Sequence, residues 1–143
     1  MDLKKQIFNT PQHRSIILIR LIVGAVFLSE GIQKFLFPAV RGAGRFEKIG
    51  LPSPEFLGSL VGVFEIACGF LIIIGLMTRL AAIPTLVIIL VAIATTKTEL
   101  LANEGFWEMM HGIRTDWAML LGSFYLIING GGKWSIDWEI NRS

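Results

Sequence analysis

Three charged side chains fall inside long apolar segments of this sequence. They are the residues best suited to bind a ligand or transfer a proton. Glu30 and Lys34 lie four residues apart in one segment, and Glu65 lies near the centre of the next. A charge placed deep in a bilayer costs at least about 2.5–3.5 kcal/mol, so such residues are rare. The spacing of Glu30 and Lys34 puts them on one helix face, with the acid before the base, the better order for an ion pair. Together the three residues predict a polar pocket that binds a ligand or handles protons.

The same three residues also fit a second interpretation, a structural network of ion pairs that fixes how the helices pack. The pocket interpretation has a specific argument of its own. One lysine between two glutamates can fully stabilise only one carboxylate, which leaves the other suited to proton transfer. His111 and Asp116 lie where the fourth apolar segment begins, and both are further candidates for the pocket.

Glycines mark the faces on which these segments are expected to pack against each other. Three glycines of the second segment share a helical stripe with Glu65, because all four residues fall at steps of three or four. Small residues let helices in a membrane approach closely, so Glu65 is expected to point into the protein and away from lipid. The glycines predicted to pack helices are Gly24, Gly31, Gly58, Gly62 and Gly69.

The elements that must hold these residues are four apolar helices. Of the 143 residues 53% are hydrophobic and only 17% are charged, against about 25% in soluble domains. The apolar blocks span residues 15–37, 56–76, 80–96 and 115–129, and a crossing helix needs about 20 residues. The predicted fold is all-α: one domain over residues 1–143, a four-helix transmembrane bundle with a short interfacial segment between helices 3 and 4.

The charge distribution bears on location and on partners. Four crossings put both termini on one side, and that side carries seven Lys and Arg residues against five on the other when Lys4 and Arg20 are counted with it. This bias favours a cell membrane protein with cytoplasmic termini, and Arg20 is expected to snorkel toward the headgroups on that side. No basic stripe suggests nucleic acid as a partner. The single cysteine, Cys68, excludes an internal disulfide, and no residue spacing predicts a metal site.

Several short pieces of the sequence together resemble the DoxX family, which is related to DoxD. The pieces are Arg20 with Gly31 and Lys34, the run from Glu65 to Gly69, the run from Gly75 to Arg79, and the run from Gly130 to Asp137. The resemblance implies a four-helix protein of the bacterial or archaeal cytoplasmic membrane. It also implies relatives such as a small subunit of thiosulfate:quinone oxidoreductase, and others associated with oxidative-stress responses and partner proteins. No established set of catalytic residues transfers to this chain.

The functional hypothesis is a redox-associated membrane component that binds a quinone-like or other lipophilic molecule in the polar pocket. A quinone is the candidate cofactor, a redox protein the candidate partner, and a homo-oligomer is expected. Whether the protein is an enzyme stays open. One alternative is a non-enzymatic scaffold that uses Gly58, Gly62 and the segment 97–111 as interaction surfaces. The other is a small oligomeric transporter.

Overall fold

A computed structural model of the chain describes residues 3–143, apart from the side chain of Lys4. Lys4 contributes to the predicted orientation, and that contribution therefore lies outside the described residues, as do Met1 and Asp2. The described part is all-helical, as predicted. Its elements are α1 (Leu3–Phe8), α2 (Ile16–Leu36), α3 (Ala43–Lys48), α4 (Pro54–Ile74), α5 (Thr78–Ala92), a π-helical turn (Ile93–Lys97), α6 (Thr98–Glu104), α7 (Phe106–Asn129) and α8 (Ile136–Arg142).

Three helical stretches are long and apolar enough to cross a membrane. They are α2, α4 and the continuous run Thr78–Glu104 that joins α5, the π-helical turn and α6. At 1.5 Å per residue, the 21 residues of α2 and of α4 match a hydrocarbon core of about 30 Å. Helix α7 has 24 residues but does not meet the same criterion. Residues 3–143 thus contain three candidate membrane spans, and the four-helix transmembrane bundle stays a prediction.

The boundaries of the third and fourth helices differ from the prediction. The third helix does not end at residue 96 but continues through the π-helical turn into α6, and α7 begins nine residues before residue 115. Only Gly105, with φ +91°, interrupts the helical run between them. The segment 97–114 is polar, yet Glu, Leu, Ala and Met are strong helix formers. The drop in hydropathy therefore marks where the apolar block ends, but the helix itself continues beyond that point.

Helices α2 and α4 pack with their backbones in direct contact. A Cβ atom built on Gly69 would lie 2.6 Å from the amide nitrogen of Leu28 and 2.8 Å from the carbonyl oxygen of Gly24. One built on Gly31 would lie 2.8 Å from the carbonyl oxygen of Gly62. Because real Cβ atoms do not approach so closely, larger residues at these positions would force the two helices apart. This tight contact fixes the register of α2 against α4.

Gly58 has a different neighbour. A Cβ atom built on it would lie 2.9 Å from the amide nitrogen of Ala43, the first residue of α3. The short helix α3 is therefore held against the start of α4, at the end of the bundle opposite the turn that joins α4 to α5.

Arg20 closes the end of the bundle where α4 turns into α5. Its side chain is buried, with 2% exposed, and its Nε donates to the carbonyl of Ile72 at 2.9 Å. Its two terminal nitrogens donate to the carbonyls of Ile73, Gly131 and Trp134. The last carbonyls of a helix lack partners within the helix, and this guanidinium supplies them. The expectation that Arg20 reaches the headgroups is wrong, because these carbonyls hold the side chain inside the protein.

Asp137 completes the same end from the C-terminal segment. Its carboxylate accepts hydrogen bonds from the backbone amides of Met77 at 2.6 Å and Thr78 at 2.9 Å, which are free at the start of α5. Its own amide donates to the carbonyl of Gly75 at 2.9 Å. The run from Gly130 to Asp137 therefore does more than end α7: it ties the turn between α4 and α5 to α2.

We expect replacement of Arg20 by lysine to lower the melting temperature of the detergent-solubilised protein. Lysine keeps the charge but has no planar fork, so some of the carbonyls lose their donor, and each unsatisfied buried group costs about 1–3 kcal/mol. The matched control is Arg142→Lys, which alters an exposed side chain. Equal melting temperatures for the two variants would show that the Arg20 hydrogen bonds do not hold this end together.

Candidate functional site

The centre of the candidate site is an ion pair between α2 and α4. The Nζ atom of Lys34 lies 2.7 Å from Oε2 of Glu65, and only 10% and 5% of the two side chains are exposed. The close packing of α2 against α4 at their glycines brings the two residues together. Lys34 thus pairs across the helix interface with Glu65 and not along its own helix with Glu30.

Glu30 lies one helical turn before Lys34 and lines the same cavity as the ion pair. Its side chain is partly exposed, and it forms no ion pair within 4.0 Å with any residue that the structure describes. The structure therefore gathers the two glutamates and the lysine in one place and leaves one carboxylate without a salt bridge among the described residues.

The cavity itself has a volume of about 450 Å³, within the range of pockets that hold small molecules. Residues of α2, α4, α5, α7, the π-helical turn and the segment around α3 form its walls. The charged residues in the lining are Glu30, Lys34, Arg41, Arg45, Glu65, Lys97 and Asp116. Most of the remaining lining is apolar, so the cavity offers a polar region within a hydrophobic enclosure.

A second ion pair lies elsewhere on the cavity wall. The Nζ atom of Lys97 is 3.1 Å from Oδ2 of Asp116, and both side chains are more exposed than the first pair. Lys97 ends the π-helical turn, and Thr95 and Thr96 of the same turn also line the cavity. Single π-helical turns are frequent at functional sites. Through Lys97, the turn here is paired with Asp116 of α7.

Four of the five predicted pocket residues line this cavity, and His111 does not. The His111 side chain is exposed, and its Nδ1 atom lies 3.3 Å from Nη1 of Arg114, which is also exposed. Asp116, one and a half turns further along α7, does reach the cavity.

Sequence reasoning did not assign Arg41 and Arg45 to the site. Both residues lie outside the predicted apolar blocks, yet both line the cavity. The segment folds back over the end of α2, where a Cβ atom on Gly42 would lie 2.6 Å from the carbonyl oxygen of Lys34. Gly42 and Gly44 were the available signal, because glycines permit such close backbone contact.

The arrangement can bind a molecule that has a polar head and an apolar body. The lysine and arginine side chains can donate hydrogen bonds to it, Glu30 can accept one, and the walls can enclose hydrocarbon. Within residues 3–143 the structure places no three His, Cys, Asp or Glu side chains together in a way that could hold a metal ion.

A double-mutant cycle should show that Lys34 and Glu65 depend on each other. Removing one member of a buried ion pair leaves an uncompensated charge and costs about 3–5 kcal/mol, whereas replacing both with apolar residues costs little. We therefore expect Lys34→Met and Glu65→Met each to destabilise the protein strongly in thermal unfolding, and the double variant to recover most of the loss. Additive losses would contradict the pairing.

The second pair provides the comparison within the same chain. Because Lys97 and Asp116 are more exposed, we expect the cycle through Lys97→Met and Asp116→Asn to give a coupling of no more than about 1 kcal/mol.

Comparison with known proteins places this chain among membrane proteins. The DoxX family model matches residues 15–98. The uncharacterized membrane protein Rv3486 of Mycobacterium tuberculosis is 50% identical over 134 residues, which cover 90% of this chain and 82% of that protein. The putative oxidoreductase CatD of Bacillus subtilis is 29% identical over 122 residues, which cover 85% of this chain and 83% of that protein. No solved structure matches.

Proposed function

This chain belongs to the DoxX family of membrane proteins, and we propose that it is a redox-associated component that binds a quinone-like lipophilic molecule in the cavity between its helices. The observation that carries the proposal is the buried pair of Lys34 and Glu65 in the wall of a cavity that is otherwise largely apolar. A polar group enclosed by hydrocarbon is expensive unless it is satisfied. A ligand whose carbonyl or hydroxyl oxygen faces Lys34 would accept a further hydrogen bond from its ammonium group.

The redox part of the proposal is supported by the similarity to a protein that is named a putative oxidoreductase. A quinone that takes up two electrons and two protons becomes a quinol. The electrons would come from a redox partner protein or from a reduced substrate. A carboxyl group beside the bound ring can deliver protons, and Glu30 is the carboxyl of this cavity that lacks a salt bridge among the described residues.

The scaffold alternative loses one of its two proposed surfaces, the glycines, whereas the other, the segment 97–111, stays largely exposed. Gly58 and Gly62 lie buried within the chain, where Gly58 faces α3 and Gly62 faces the side chains of Phe35 and Lys34 on α2. They are therefore not available to bind another protein. Self-association through other surfaces and a redox partner remain part of the proposal.

The test is binding of a benzoquinone that carries a decyl chain to the purified protein in detergent, measured by equilibrium titration. We expect wild-type protein to bind it and the double variant Lys34→Met/Glu65→Met to bind at least about tenfold more weakly, since the loss of one or two hydrogen bonds is worth that factor. The double variant is preferred to the single ones because it leaves no buried charge behind.

The matched control is Glu55→Gln, which removes an exposed carboxylate from the first turn of the same helix, outside the cavity lining. It should bind the quinone as the wild type does. Wild-type protein that binds no quinone, or a double variant that binds it with unchanged affinity, would overturn the proposed function.

A further inference from the structure

The cavity lining contains apolar residues in addition to those that form the ion pairs. Five of them come from three stretches of the chain and carry no polar side-chain atom. They are Ile49 and Leu51 after α3, Val61 of α4, and Val87 and Val91 of α5. A ligand with a polar head at Lys34 and Glu65 would place its hydrocarbon part against such apolar residues.

The positions along the hairpin bring the valines to similar depths. Helices α4 and α5 run in opposite directions and are joined by a short turn around Leu76. Val61 and Val91 are equally far along the chain from Leu76, and so are Glu65 and Val87. Val87 therefore lies at about the depth of the ion pair, and Val61 and Val91 lie at similar depths about one turn further from the hairpin.

The two valines of α5 lie on the rim of the cavity. Val87 is 52% exposed and Val91 48% exposed, although both contribute to the lining. Thr85 and Ile89, on the inner face of the same helix, are 0% and 7% exposed. Phe27 and Met119 also line the cavity but are each only 3% exposed, so a side chain that lines the cavity and is half exposed lies where its wall is open.

The burial along α5 shows why a gap exists there. Near the hairpin, Ala81 and Ala82 are almost completely buried, and Asp137 caps the helix. The last buried residue of α5 is Ile89, and the π-helical turn and α6 that follow contain none. The helix is held tightly at one end and increasingly exposed toward the other. Because this stretch is a candidate span, its exposed apolar face would lie against acyl chains in a bilayer.

We propose that the gap between α4 and α5, flanked by Val61, Val87 and Val91, is a lateral opening from the cavity to the lipid phase. The ligand is then a membrane-resident amphiphile: its head lies at Lys34 and Glu65, and its hydrocarbon chain passes between the valines into the bilayer. This inference rests on the proposed function and adds to it the class of ligand and the route of its chain.

A polar mouth also borders the cavity and defines the competing outcome. A second depression shares Arg41, Arg45, Ile49 and Thr96 with the cavity. Its other charged residues are Lys48, Glu99 and Glu104. A small ligand without a chain could reach the cavity through this mouth, whereas a long hydrocarbon chain is not solvated by a rim of charges. Binding through the lateral opening therefore depends on the ligand's hydrocarbon chain, whereas binding through the polar mouth does not.

The experiment compares two probes that share one ring, a decyl-substituted benzoquinone and the same benzoquinone with a methyl group in place of the decyl chain. Val91→Trp and Val87→Trp fill the opening without altering the ion pair. We expect each to weaken binding of the decyl probe at least about tenfold and of the methyl probe by no more than about twofold. Partition of each probe into the detergent is the same for every variant, so it cancels in these ratios.

Val63→Trp is the matched control, since Val63 is exposed on α4 and outside the cavity lining. It should leave the affinity for both probes unchanged. As a second measurement, a decyl probe with a photoreactive group in mid-chain should label peptides that contain Val61, Val87 or Val91 in the wild type.

The outcomes separate this inference from the proposed function. If neither probe binds wild-type protein, the proposed function fails and the inference with it. If both bind and the tryptophan variants leave decyl binding unchanged, or weaken both probes equally, the lateral opening is overturned and the proposed function stands. Labelling confined to other peptides would overturn the opening as well.

Discussion

The structure depends on how charged side chains are satisfied inside an apolar bundle. A buried charge without a partner is among the most expensive features a protein can contain, and this chain buries several. Arg20 is satisfied by backbone carbonyls at one end of the bundle, and Lys34 by the carboxylate of Glu65 nearer the other end. The helices must adopt the one arrangement that provides both sets of partners.

These two sites have opposite consequences for packing. Around Arg20 the hydrogen bonds, together with those of Asp137, draw the turn between α4 and α5, the C-terminal segment and α2 into one compact end. Around Lys34 and Glu65 the glycines bring α2 and α4 together, but α5 and α7 stay far enough away to leave a cavity. A rigid end therefore supports an open one, which is the arrangement that a binding site requires.

The division also explains the two groups of residues behind the family resemblance. Arg20, the run from Gly75 to Arg79 and the run from Gly130 to Asp137 meet at the compact end, where they stabilise the fold. Lys34 and the start of the run from Glu65 to Gly69 meet at the cavity. Only the second group has contacts that a ligand could use, and the proposals above are accordingly based on it.

The sequence by itself determined that the chain is helical and belongs in a membrane. Its hydrophobic blocks are about as long as a bilayer-crossing helix, and a helix satisfies all its backbone hydrogen bonds internally in lipid. It also singled out Glu30, Lys34 and Glu65, since charges within such blocks are costly and therefore conspicuous. Only the tertiary structure decided how they pair. The local i, i+4 rule favoured Glu30 with Lys34, whereas the close contact of α2 with α4 placed Lys34 against Glu65. The structure alone also brought Arg41 and Arg45 over the cavity and drew Arg20 inward, because backbone carbonyls and chain reversals leave no periodic trace in a sequence.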